Sequence, residues 1–69
     1  MQIVMVKLAH FPNAVDLVRA PDGVSADKVA WAVASNSLRA KVSGRVPGHS
    51  YKVAESDNFV EAMIESAKL

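Results

Sequence analysis

The sequence predicts a small α+β domain, on three observations. Residues 2–9 (QIVMVKLA) form an almost unbroken apolar run of strand length. Residues 26–36 carry Ala26, Val29, Ala30 and Val33 at helical spacing behind Ser25, a residue suited to a helix N-cap. Residues 38–55 alternate apolar and polar side chains about Pro47-Gly48, which reads as a hairpin. The expected order is ββαββα: an antiparallel four-stranded sheet with two helices on one face, residues 1–69 forming a single compact domain.

In chain order, the 2–9 run is the central strand, because a strand buried on both faces is apolar throughout rather than alternating. His10-Phe11-Pro12-Asn13 reads as a turn, with Phe11 anchored in the core. Residues 14–20 hold Val15, Leu17 and Val18 and read as a second strand; the competing reading is a short helix opened by Pro12. Ala20-Pro21-Asp22-Gly23 has turn chemistry, with Pro at the second position and Gly at the fourth. The helix at 26–36 places Asp27 in its first turn, where the helix dipole favours an acid, and Asn36 terminates it.

Strands at 38–46 and 49–55 follow. In the expected register Val42 faces Val53 and Ser43 faces Lys52. Ser56 or Asp57 then caps a final helix, which buries Phe59 and Met63 and exposes Asp57, Glu61, Glu65 and Lys68. The stretches from Val18 and from Tyr51 share a strand–turn–helix grammar.

Composition limits the chemistry. At 69 residues and 51% hydrophobic content, the chain is long enough for one core. The absence of cysteine excludes disulfides, thiol catalysis and cysteine-ligated zinc. Neither serines nor glycines fall in a nucleophile-elbow or phosphate-loop pattern. His10 and His49 lack the spacing of a zinc pair, and Glu61 and Glu65 lie one turn apart on a solvated helix face. No enzyme activity, metal or cofactor is expected. The N-terminal run is interrupted by Lys7 and too short to span a bilayer, so no membrane role is expected and the cytoplasm is the expected compartment.

Charge is distributed unevenly beneath a net +1. From Ser37 to Lys52 the chain carries Arg39, Lys41, Arg45 and Lys52 and no acid; from Val53 onward acids dominate. A two-residue hairpin loop would gather those four cations on the outer sheet face, which is either a solvated face or a binding site for phosphates or an acidic protein surface. That face has no aromatic side chain for stacking bases.

Trp31 is the second feature. On the helical wheel it falls opposite the apolar side, among Asp27, Lys28 and Ser35. It is either an exposed interface anchor, or part of a helix covered on both sides, or a ring folded back over the sheet edge.

The expected function is that of a small non-enzymatic protein-binding module. It would be an adaptor, regulator or inhibitor of the phage or mobile-element kind, engaging an acidic surface or an aromatic-accepting pocket through Trp31, Arg39, Lys41, Arg45 and Lys52. The alternative is binding of nucleic-acid backbone through the basic hairpin face. A second copy of the chain is a further candidate partner.

Overall fold

A computed structural model describes residues 1–11 and 13–69. Its elements are β1 (Gln2–Leu8), β2 (Val15–Ala20), α1 (Ala26–Ser35), α2 (Leu38–Ser43), β3 (His49–Val53) and α3 (Phe59–Ser66). The α+β class is as expected. The four-stranded sheet and the ββαββα order are not: the described residues form three strands and three helices, in the order ββααβα.

β1 is the central strand, with β2 and β3 paired antiparallel on either side. Its apolar run explains that position, since Ile3, Val4, Met5 and Val6 are the largest fully buried side chains. Successive residues point to opposite faces, so a strand buried throughout needs cover on both. Val4 and Val6 pack with Ala20, Val29 and Ala30, beneath α1. Ile3 and Met5 pack with Ala54 and Ala62, and Phe59 closes over them from α3. The two long helices therefore lie on opposite faces, not on one. Each buried β1 side chain contributes about 1.5–3 kcal/mol, which makes β1 the core of the fold.

β2 and β3 both run antiparallel to β1, hence parallel to each other, so the chain must cross β1 to pass between them. α1 makes that crossing and packs over β1 and β3, while α3 packs over β1 and β2 from the other side. The two strand–turn–helix units thus exchange places under a half-turn about the long axis of β1.

Residues 14–20 resolve as a strand, Val15–Ala20. Pro12, on which the alternative helix depended, lies outside the described residues. The N–H of Ala14 donates to the Phe11 carbonyl at 3.0 Å, and Val24 N–H to the Pro21 carbonyl at 3.0 Å, closing the turns on either side of β2. Phe11 itself is exposed rather than anchored in the core. α1 begins after Ser25 and ends at Asn36 as expected, although the Ser25 side chain makes no capping hydrogen bond.

The main correction concerns residues 38–46. No 38–46/49–55 hairpin forms: Leu38–Ser43 is a helix, and β3 pairs with β1, Met5 facing Lys52 and Val6 facing Tyr51. Local capping explains the helix. The Ser37 hydroxyl donates to the Ala34 carbonyl (2.6 Å) and accepts from Ala40 N–H (3.2 Å), joining the end of α1 to the start of α2. Gly44, with φ of 73°, closes it in the left-handed conformation that glycine adopts without strain. The apolar alternation that suggested a strand was not a burial pattern, because only Ala40 of α2 is buried.

α3 is capped by Asn58, whose side chain accepts from Glu61 N–H at 3.1 Å, in place of the expected Ser56 or Asp57. Its buried contact is narrow. Phe59 and Ala62 face the sheet, while Met63, expected in the core, is exposed with Val60 and Ile64.

Candidate functional site

Capping of α2 and the Gly44 reversal bring two of the sequence-selected cations together. Arg39 and Arg45 line one recess of about 500 Å³ with His10, Ser43, Val46, Pro47 and Gly48. The Ser43 hydroxyl holds the bend: it accepts from Arg45 N–H and donates to the Arg45 carbonyl, both at 3.3 Å. No acid lines this recess, and among the described residues neither Arg39 nor Arg45 forms an ion pair. Two unneutralised guanidiniums, each with a fixed fork of donors, suit carboxylate or phosphate oxygens.

Beside the recess is an apolar concavity of about 180 Å³, lined by Phe11, Leu38, Val42 and Arg39. Leu38 and Val42 lie four residues apart on α2, one above the other, and are 77% and 78% exposed. Arg39 borders both hollows, so cationic and apolar surface are continuous around α2.

The remaining sequence-selected residues do not join this site. Lys41 is exposed on α2 but, two residues beyond Arg39, does not line the recess. Lys52 lies on the α3 side of the sheet, 3.9 Å from Glu65. The four-cation sheet face expected from a hairpin is therefore absent, because its first strand is a helix.

Trp31 leaves the core as expected, at 57% exposure. It also leans over the sheet margin, edge-on to His49 with ring centroids 6.0 Å apart. The ring thus folds back over the sheet margin while keeping an exposed surface. His49 is held in turn by Pro47, whose carbonyl lies 3.0 Å from Nδ1 and accepts a hydrogen bond from it.

His10, Phe11, Leu38 and Val42 were not selected from the sequence. The available signal was the Ser37 and Gly44 pair of caps, which turns Leu38 and Val42 from alternating strand residues into an exposed helical pair.

Charge is unevenly placed along the molecule. Lys7, Arg39 and Arg45 lie toward the end where β1 finishes and β3 begins, with Asp16 opposite Val6 on β2. Glu55 and Asp57 follow β3 at the opposite end, where Arg19 faces Ile3 and Asp22 lies 3.5 Å from the amino-terminal ammonium. Among the described residues, no cluster of three or more histidines and acids could hold a metal, and no helix is long and apolar enough to cross a membrane. No protein-family model matches this sequence, and neither a curated protein nor a solved structure is significantly similar to it.

Proposed function

We propose that this chain is a small non-enzymatic protein-binding module that occupies an acidic, partly apolar surface of a partner through the α2 end of the fold. The observation that carries this reading is the position of Arg39 between a cationic recess and an exposed apolar hollow. A segment presenting carboxylates next to leucine-like side chains would satisfy both at once. Burial of Leu38, Val42 and Phe11 would supply affinity, and Arg39 and Arg45 would set orientation and steer the encounter.

Nucleic-acid backbone is the weaker reading. Phosphate binding draws its strength from many cations along a track. Here the cations expected on one sheet face are divided among α2, its following loop and a strand where Lys52 approaches Glu65.

The test is fluorescence anisotropy of two labelled probes across a salt series. One is an amphipathic peptide of about 15 residues with leucines on one helical face and glutamates on the other; the other is a single-stranded oligonucleotide. The expected result is peptide binding that weakens at least tenfold in Arg39→Glu and in Leu38→Ser, with little oligonucleotide binding. Oligonucleotide binding that falls steeply with salt, without peptide binding, would overturn the proposal.

A further inference from the structure

We infer that β3 is a dimerisation edge, at which a second copy of this chain extends the sheet antiparallel through β3 itself. The β1–β3 ladder shows which backbone groups are free. Ala54 N–H donates to the Ile3 carbonyl and Ala9 N–H to the Gly48 carbonyl, each at 2.9 Å. Antiparallel ladders alternate, so the even-numbered residues from Gly48 to Ala54 direct their backbone groups toward β1. His49, Tyr51 and Val53 then direct their N–H and C=O groups outward, and among the described residues no strand pairs with that edge.

Such an edge is normally blunted by charge, proline or a bulge. Neither proline nor glycine lies within His49–Val53, and its single charge, Lys52, is directed to Glu65 on the α3 side. β2, the other edge, is defended by the exposed Asp16 and Arg19. β3 instead exposes Tyr51 and Val53 on the face where Trp31 overhangs His49.

Pairing centred on Tyr51 is self-complementary. Tyr51 faces Tyr51 of the second copy, His49 faces Val53, and each outward N–H and C=O of the three residues meets its counterpart. Side-chain parity also agrees, because these residues share one face and Ser50 would oppose Lys52 without placing like charges together. Trp31, beside His49, would come to lie against Val53 of the second copy.

Charge is compatible with the same arrangement: an antiparallel two-fold sets Lys7, beside the start of β3 in one copy, toward the end of the other where Glu55 follows β3. Because the paired surface is β3 and Trp31 rather than Phe11, Leu38, Arg39, Val42 and Arg45, it stands or falls separately from the docking site proposed above.

The test is sedimentation equilibrium over a concentration series reaching millimolar, together with amide hydrogen exchange at both extremes. The expected result is a mass rising from 7.4 kDa toward twice that value. The amides of His49, Tyr51 and Val53 should gain at least tenfold protection as it rises, with Ser50 and Lys52 unchanged. Tyr51→Lys, which opposes two cations at the two-fold axis, should abolish the dimer. Val60→Lys with Ile64→Lys, on the exposed side of α3, should leave it intact. A monomer at every concentration, a dimer that persists in Tyr51→Lys, or protection without the odd–even alternation would overturn the inference. If Tyr51→Lys does not fold, the exchange pattern of the unaltered chain decides alone.

Discussion

The Trp31 indole stands edge-on to the His49 imidazole, with ring centroids 6.0 Å apart and planes inclined by 66°. That contact fastens α1 to the first residue of β3, two positions beyond Pro47 in the recess wall. It gives an exposed aromatic ring a structural duty as well as a surface.

Replacing Trp31 and His49 by alanine, singly and together, should therefore reveal coupling. Edge-to-face aromatic pairs contribute about 0.5–1.5 kcal/mol beyond area burial. Urea unfolding of the four proteins of a double-mutant cycle, held below the dimerisation range, should return a value in that interval. Additive single changes would mean that the rings are merely neighbours.

Gly44→Ala should destabilise the fold by about 1–2 kcal/mol through backbone conformation alone. The residue has φ of 73°, and an added Cβ would meet nothing within 4 Å. Thermal unfolding should show a fall of roughly 4–8 °C for each kcal/mol lost.

Two methionines that look alike in sequence should behave oppositely. Met5 is fully buried in the central strand, so Met5→Ala should cost about 2–5 kcal/mol, enough to unfold much of a marginal domain. Met63 is exposed on α3, so Met63→Ala should change stability by no more than about 0.5 kcal/mol. Chemical denaturation of both variants checks the pair.

Glu65 should matter more than its ion-pair partner. Lys52 is largely exposed and 3.9 Å away, so Lys52→Ala should cost less than about 1 kcal/mol. The Glu65 carboxylate also accepts from Glu55 N–H at 3.0 Å, holding the turn after β3 against α3. Glu65→Ala should accordingly lower the urea midpoint further than Lys52→Ala does.

β1 and α1 were legible in the sequence because each signal there had one physical source, whereas β2 was read as a strand against a competing short helix. The 2–9 run is apolar throughout because β1 is covered on both faces, and Val29 and Ala30 repeat helically because one side of α1 meets Val4 and Val6. The same apolar run also implied helices on both faces, an implication the one-face arrangement missed.

Residues 38–43 misled because Leu38, Ala40 and Val42 alternate for reasons unrelated to burial. Six residues are too few for helical periodicity to outweigh alternation, and the deciding information sat outside the segment, at Ser37 and Gly44. The site inherited that error. Arg39 and Arg45 were selected, but their companions His10 and Phe11 come from a loop that only the folded chain brings near.

Docking at the α2 end is tested most directly by mapping backbone amide shifts during titration with the leucine–glutamate peptide. Perturbations should concentrate at His10, Phe11, Leu38, Arg39, Val42 and Arg45, and should vanish in Arg39→Glu. Shifts confined to α3, or none at saturating peptide, would contradict an acidic protein partner at this surface.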